Sequence, residues 1–368
     1  MQAALALALK ARGRTSPNPL VGAVIIQDGR IVGRGYHVCA GAPHAEVVAL
    51  EEAGPQAAGA TLYVNLEPCC HWGRTPPCTS ALIRSGIQRV VVGMVDPNPR
   101  VSGKGIEQLQ QAGIEVEVGL LEERARRDNE AFIKYITTGQ PFVILKSAVS
   151  LDGKIATASR QSRWITSGRS RLESHKLRDQ VDAILVGIET VLADDPQLTT
   201  RLWGRKGRDA RKIVVDSVLR IPLEARVLPA NATREDGQAP AAGVIIATTA
   251  RASSEKARQL EAKGAQVLRV GDRGGRVDLS ELMRALGQQG IVSLLIEGGG
   301  EINAAALQAG LVDKVVFFIA PLLIGGGGAP GAVGGQGCAC LEEAIRLERL
   351  EVKQLEADLM IQGYVTKR

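Results

Sequence analysis

Residues 67–78 read Glu67-Pro68-Cys69-Cys70-His71-Trp72-Gly73-Arg74-Thr75-Pro76-Pro77-Cys78, and upstream of them the chain reads His44-Ala45-Glu46. One histidine and two cysteines from these stretches supply three ligands for zinc and leave a fourth position open. That is the pattern of a catalytic zinc, because structural sites are usually closed by four protein ligands. A water held there approaches a pKa of about 7. Cys78 follows two prolines and opens a helix, whose N-terminus favours a thiolate. Glu46 stands two residues from His44. It suits the shuttle that takes the water proton and delivers it to departing ammonia, and it is not needed as a ligand.

Zinc deaminases carry H-x-E followed by P-C-x-x-C. The first half is matched here and the second is not, because eight residues separate Cys69 from Cys78. Cys70 and His71 are alternatives within the same loop. Cys69 is preferred as the ligand because it directly follows Pro68. His37 and His71 are spare histidines near the site, and His71 with Gly73, Arg74 and Thr75 reads as the lining of a substrate mouth.

Working outward, the first part of the chain alternates strands and helices. Gln2 to Arg12 reads as a helix. Val21 to Gln27 and Ile31 to Tyr36 read as strands joined at Asp28-Gly29, a strong hairpin signal. Ala45 to Ala53 is helical, Thr61 to Leu66 a strand, Thr79 to Ser85 a helix. Arg89 to Val95 is an apolar strand consistent with burial on both faces. A short strand at Ile114 to Val118 and one long charged helix to about Tyr135 complete this part. Gly139-Gln140-Pro141 ends it as the candidate linker, giving domains 1–139 and 140–368.

The pattern then restarts. Phe142 to Ala148, Ala183 to Val186, Lys212 to Val215, Val244 to Thr248, Ser293 to Ile296 and Lys314 to Ile319 read as buried strands with helices between most of them. Such alternation predicts a second three-layer α/β domain. Leu228 to Pro240 reads as an exposed loop. Ser293-Leu294-Leu295-Ile296-Glu297-Gly298-Gly299-Gly300 is a strand running into glycines, with a helix over Glu301 to Gln308. A strand, glycines and a helix N-terminus make an anion cradle, since backbone N–H groups can approach a phosphate. Gly326-Gly327-Gly328-Ala329-Pro330-Gly331 satisfies G-x-G-x-x-G, but Pro330 interrupts it and no helix opens there. It reads as a loop and not as a dinucleotide fingerprint.

The composition fits this picture. The chain has 368 residues, 45% hydrophobic and 23% charged, which excludes intrinsic disorder as its main state. Aromatics are 3%, too few for the stacking platforms of a single-strand nucleic-acid binder. A net charge of +6, scattered along the chain, favours small anions such as phosphate esters over nucleic acid. No apolar run is long enough to span a bilayer and no signal peptide is evident, so a cytoplasmic protein is expected. The cysteines cluster at Cys39, Cys69, Cys70 and Cys78, then recur at Cys338 and Cys340. This is no disulfide framework, and the last two have no nearby histidine.

The runs Ser16-Pro17-Asn18-Pro19-Leu20-Val21-Gly22, His44-Ala45-Glu46 and Glu67 to Cys78 resemble the bifunctional deaminase/reductase family of riboflavin biosynthesis. That family has the eight-residue interval. The resemblance continues through Lys146 to Lys154, Trp164 to Gly168, Thr190 to Arg201 and Glu297 to Gly300. It implies a cytidine-deaminase-like three-layer domain followed by a dihydrofolate-reductase-like three-layer domain, with zinc and NADPH as cofactors. It implies that His44, Cys69 and Cys78 bind the metal, that Glu46 is catalytic, and that Asn18 contacts the pyrimidine. It further maps cofactor contacts to Ala148, Trp164, Thr190, Asp194, Ser217, Gly299, Gly300, Glu301, Ile302 and Asn303. Substrate contacts map to Ser162, Arg178, Leu198, Arg201 and Glu297. Arg178 and Arg201 make chemical sense as phosphate ligands, because guanidinium pairs with phosphate bidentately, though either could sit in an ion pair instead.

The function so implied is deamination of 2,5-diamino-6-ribosylamino-4(3H)-pyrimidinone 5′-phosphate, followed by NADPH reduction of the ribosyl group of 5-amino-6-(5-phosphoribosylamino)uracil to ribityl. The partners expected are small phosphorylated pyrimidines and a possible second copy of the chain, with no nucleic acid and no membrane. The rival reading is a nucleic-acid or nucleoside deaminase whose second domain is not a reductase.

Overall fold

Asp28 and Gly29, at φ of 50° and 72°, close the two-residue turn between strands β1 (Gly22–Gln27) and β2 (Arg30–Tyr36). A hairpin turn of this kind needs positive φ at both central residues, which Asp-Gly tolerates. The computed structural model describes residues 1–73, 76–229 and 243–366, and it divides into two units, Met1–Gln140 and Pro141–Arg368.

In the first unit, β3 (Thr61–Val64), β4 (Arg89–Val92) and β5 (Glu115–Val118) extend the hairpin into a sheet of order β2-β1-β3-β4-β5. Strand β1 is antiparallel to β2 and β3, whereas β3, β4 and β5 run parallel. A Cβ at Gly22 would collide with the Ala4 carbonyl of helix α1 (Gln2–Ala8), and one at Gly35 with the Ala45 carbonyl of helix α2 (Ala45–Ala53). Gly35 is the cross-strand partner of Ala23, the residue after Gly22, so the two glycines face opposite sides of the sheet. The two helices therefore cover opposite faces and make three layers. Small residues are what allow this approach. Ile25, Leu62, Leu82, Val90 and Leu109 fill the core with no exposed surface.

Helix α1 stops at Ala8 and passes into a 3₁₀ turn, Leu9–Ala11, within the stretch expected to be helical. Helices α3 (Cys78–Arg84) and α4 (Lys104–Gln111) follow. The single charged helix expected up to Tyr135 is two, α5 (Glu122–Asp128) and α6 (Glu130–Thr138). The break falls at Asn129, whose Oδ1 accepts from Leu20 N at 2.8 Å and whose Nδ2 donates to Leu20 O at 3.0 Å. This buried side chain satisfies a distant backbone unit, a demand that helical periodicity does not reveal.

The second unit holds a nine-stranded sheet, and its first two helices are α7 (Gly168–Gln180) and α8 (Ile188–Asp194). Its strands are β6 (Phe142–Ser150), β7 (Ala183–Gly187), β8 (Arg211–Val215), β9 (Val244–Thr248), β10 (Ala265–Arg269), β11 (Ser293–Ile296), β12 (Lys314–Ala320), β13 (Leu347–Leu355) and β14 (Asp358–Val365). They lie in the order β10-β9-β8-β7-β11-β6-β12-β14-β13. The first seven in this order run parallel, and β14 and β13 add an antiparallel hairpin at one edge. The central parallel strands are buried on both faces, as their continuous apolar runs require. Leu185, Ile213, Ile245 and Leu294 pack with Leu282 and Leu286 of helix α10 (Leu279–Gln288) on one face. Ile184, Val186, Val214 and Ile246 pack with Leu260 of helix α9 (Ser254–Ala262) on the other.

Strands β10, β13 and β14 were not among the expected ones. Strand β13, Leu-Glu-Arg-Leu-Glu-Val-Lys-Gln-Leu, is exposed along all but its last residue, so burial imposes no alternation on its sequence. Leu228 is buried, unlike the exposed loop expected from Leu228 to Pro240, and 230–240 lie outside the described residues. The stretch Gly326 to Gly331 opens no helix, and Cys338 and Cys340 are exposed. Among the described residues no helix is long and apolar enough to cross a membrane.

Candidate active sites

In the first unit His44 caps the start of helix α2 and Cys78 is the first residue of helix α3. Cys69 follows β3 through Asn65, Leu66, Glu67 and Pro68. The ligand atoms of His44, Cys69 and Cys78 all lie within 4.8 Å of one another, the one such group of histidine, cysteine and acidic side chains among the described residues. His44 Nδ1 stands 3.1 Å from Cys78 Sγ and 3.5 Å from Cys69 Sγ, and Cys78 N donates to Cys69 Sγ at 3.3 Å. Cys70 is outside the group, and burial raises its pKa. His71 is also outside it, with a buried Nδ1 that has no hydrogen-bond partner among the described residues. Arg74 and Thr75, read as part of a substrate mouth, lie outside the described residues.

Two thiols so close do not both ionise readily without a cation. Hydrogen bonding from Cys78 and His44 holds Cys69 near 4, while the Cys69 thiolate and burial drive Cys78 upward. Glu46, in the first turn of α2, is 3% exposed, and burial lifts its carboxyl to about 7.

Two further residues position this site. Pro43 O can only accept, so His37 donates to it from Nδ1 at 3.1 Å, and its Nε2 then accepts from Asn18 Nδ2 at 3.0 Å. The His37 ring meets the His44 ring edge to face at 5.5 Å, which ties Asn18 to the metal-ligand cluster. Glu67 is buried and accepts from four backbone N–H groups, those of Asp96, Gly103, Gly105 and Ile106, at 2.9–3.3 Å. It anchors the strand end that carries Cys69 to the first turn of α4. An acidic residue directly before Pro-Cys was the available signal for it.

In the second unit a cavity of about 1680 Å³ opens at the carboxyl ends of the parallel strands, the usual ligand crevice of such sheets. Its wall includes Ala148, Ser162, Trp164, Arg178, Thr190, Asp194, Arg201, Ser217 and Glu297, with Gly299, Gly300, Glu301 and Ile302 at the start of helix α11 (Gly300–Gln308). Ser162 Oγ donates to Asp194 Oδ1 at 2.9 Å. Arg171 lies over the Trp164 ring at 4.5 Å, holding an exposed indole at the cavity mouth.

Two family models match the chain. The cytidine and deoxycytidylate deaminase zinc-binding region matches residues 1–94, and the RibD C-terminal domain matches residues 141–361. The riboflavin biosynthesis protein RibD of Aquifex aeolicus is 47% identical over 361 residues, spanning 98% of this chain and 96% of that one. The chain belongs to the RibD family. Among solved structures, Acinetobacter baumannii RibD matches with a TM-score of 0.87 at 38% identity, covering 100% of this chain and 98% of that one. A diaminohydroxyphosphoribosylaminopyrimidine deaminase/5-amino-6-(5-phosphoribosylamino)uracil reductase from Thermotoga maritima matches with a TM-score of 0.83 at 36% identity, covering 100% and 97%.

RibD proteins join a zinc-binding deaminase half to a reductase half, and this chain carries both in that order. Its residues fit both RibD cofactors. A neutral imidazole and two thiols within 4.8 Å are a zinc donor set, and a divalent ion lets both thiols ionise. In the other half, a Cβ at Gly299 would meet only Thr190 Oγ1, at 3.8 Å, so the missing side chain leaves the cavity wall open at the N-cap of α11. That is the cradle a dinucleotide phosphate needs.

Three residues assigned by resemblance sit differently from the rest. Leu198 is 4% exposed and belongs to the core cluster that includes Ile184, Val186 and Val214, away from the cavity wall. Asn303 is fully buried, and its Nδ2 holds the Ala332 carbonyl at 2.8 Å. Arg178 does line the cavity, but its fork is taken: Nε and Nη2 donate to Glu297 at 2.7 and 2.8 Å, and Nη1 donates to Thr199 O at 2.9 Å. Arg201 also lines the cavity and has no side-chain partner among the described residues, so its guanidinium is the freer of the two. Sequence reading passed over Lys146, a lysine inside the apolar strand β6, which lines the cavity 3.7 Å from Glu297.

Proposed function

We infer that the chain carries out two consecutive steps of riboflavin biosynthesis. It removes an amino group from a diaminopyrimidinone ribosyl phosphate, then reduces the ribosyl group of the resulting aminouracil to ribityl. The observation that carries this reading is that one chain holds both a His–Cys–Cys group with a buried carboxyl beside it and a separate cavity ending in the Gly299 cradle.

In the deaminase half, His44, Cys69 and Cys78 hold zinc, which when bound acts as a Lewis acid and lowers the pKa of water to about 7. Glu46 takes a proton from the water as it adds to the ring carbon, then hands that proton to the amino group, so that the carbon–nitrogen bond breaks and ammonia leaves. Burial raises the Glu46 carboxyl above the ordinary range, the direction that suits a group that both takes and gives a proton. Asn18 is fixed through His37, and its Oδ1 is left to accept from the pyrimidine.

In the reductase half the glycine loop and α11 bind NADPH, which when bound supplies hydride to C1′ of the sugar. Arg201 takes the substrate phosphate. Arg178 holds Glu297 in place, and Glu297 contacts the substrate. Lys146 lines this wall and burial lowers its pKa, the direction that favours giving up a proton as hydride arrives. Few aromatic residues and a scattered net charge of +6 support small phosphorylated pyrimidines as ligands over nucleic acid.

A coupled assay tests this reading. With the diaminopyrimidinone substrate, ammonia should appear without NADPH, and NADPH absorbance should fall only after deamination. Ammonia release with no NADPH consumption would leave a deaminase with a non-reductase second domain.

A further inference from the structure

We propose that Arg251 and Arg276, together with the Ser217 hydroxyl, form the subsite that takes the 2′-phosphate of the dinucleotide and makes the reductase half prefer NADPH to NADH. The proposal rests on the reductase reading above.

All three side chains line the same cavity as the Gly299 cradle. Arg276 belongs to a short hairpin, Asp272–Arg273 paired with Arg276–Val277. From there it reaches Glu301, in the first turn of α11, at 3.4 Å, so this corner and the cradle are neighbouring parts of one wall. The other two residues close on the same hairpin. Arg251 Nη1 donates to Gly275 O at 3.3 Å, and Val277 N donates to Ser217 Oγ at 3.1 Å. Gly275 has φ of 81°, and a Cβ there would stand 2.8 Å from Arg251 Nη1. The glycine is what lets the guanidinium lie against the turn.

The charges are available. The side chains of Arg251 and Arg276 are 60% and 71% exposed, and each faces one carboxylate loosely, Asp272 at 4.0 Å and Glu301 at 3.4 Å. A guanidinium has five N–H donors, so most remain for a ligand. Arg220, on the same wall, is held closely by Glu189 and is left out of the subsite. Ser217 accepts from Val277 N and keeps its own hydrogen to donate. A phosphate ester takes such forks bidentately, whereas the ribose hydroxyl of NADH carries no charge to meet them.

The test is a binding titration of the full chain with NADPH and with NADH, followed by nicotinamide fluorescence without pyrimidine. Adenosine 2′,5′-bisphosphate and AMP serve as competitors. The chain should bind NADPH at least about tenfold more tightly than NADH. Arg251→Ala and Arg276→Ala should each weaken NADPH about tenfold, leave NADH nearly unchanged, and together abolish the preference. Arg276→Lys should retain part of it. The bisphosphate should displace NADPH from the unsubstituted chain far better than AMP does. Equal binding of the two dinucleotides by the unsubstituted chain would overturn the proposal and leave the reductase reading standing. Equal loss of both dinucleotides in the variants, or a preference surviving the double substitution, would also overturn it. Failure of the unsubstituted chain to bind either dinucleotide would overturn the reductase reading and the subsite with it.

Discussion

Arg178 and Glu297 close a two-pronged ion pair, with Nε to Oε1 at 2.7 Å and Nη2 to Oε2 at 2.8 Å, across the cavity end of the second unit's sheet. Lys146 adds a second cation to the same carboxylate at 3.7 Å. Burial alone would raise the Glu297 pKa, but these charges outweigh it and hold the carboxyl at about 2.

Removing the carboxylate strands two buried cations. Glu297→Gln should destabilise the second unit by about 3–5 kcal/mol, measured by denaturant unfolding. The sign with pH follows from the depressed pKa. The Glu297 contribution is fully present above its ordinary value of 4.5 and is lost as pH falls toward about 2. That part of the acid slope should be missing in the variant, and an unchanged slope would show that the pair does not stabilise the fold.

His175 shifts the other way. Burial, then the charges of Arg178 and Arg201, lower its pKa from 6.5 to about 4. Its Nδ1 accepts from Arg201 N at 3.2 Å, which also needs the neutral ring. The unfolded chain therefore binds the proton first, and stability falls as pH drops from 6.5 to about 4. NMR titration of the ring should give a midpoint well below that of an exposed histidine.

Metal analysis should find one zinc per chain. Cys78→Ser should lose it, because Cys78 Sγ belongs to the ligand cluster. Cys70→Ser should keep it, and loss of metal there would move the ligand assignment along the loop.

Glu46→Gln keeps the shape of the side chain and removes its proton. Ammonia release should fall by about 10²–10⁴-fold or more, with zinc content unchanged. The same variant should still reduce the deaminated aminouracil substrate, because the cavity that would take it is built wholly from residues after Gln140. Loss of that reduction in a folded, zinc-loaded variant would refute two separate sites.

Gly299→Val tests the opposite direction. A side chain there has room on the Thr190 side and enters the cavity without breaking the fold. NADPH binding and oxidation should be lost while ammonia release continues.

Much of the deaminase site was legible in the chain. His44, Cys69, Cys78 and Glu46 lie on two short stretches, and their residue types alone restrict the chemistry. The hairpin at Asp28-Gly29 and the strand–glycine–helix run at Glu297 to Gly300 are likewise local, set by backbone φ and by missing side chains. The parallel strands could be read because burial on both faces demands unbroken apolar runs. Tertiary structure decided what depends on partners far along the chain. Asn129 divides a helix because it serves the backbone of Leu20, and Arg178 turns its fork to Glu297 across 119 residues of sequence. Leu198 and Asn303 leave the cavity wall because core packing and the Ala332 carbonyl claim them. Strand β13 carries no burial pattern, so only pairing with β14 reveals it. Periodicity and motif record what a residue needs from its neighbours in sequence, whereas the partner that satisfies a buried charge or amide is chosen only when the chain closes on itself.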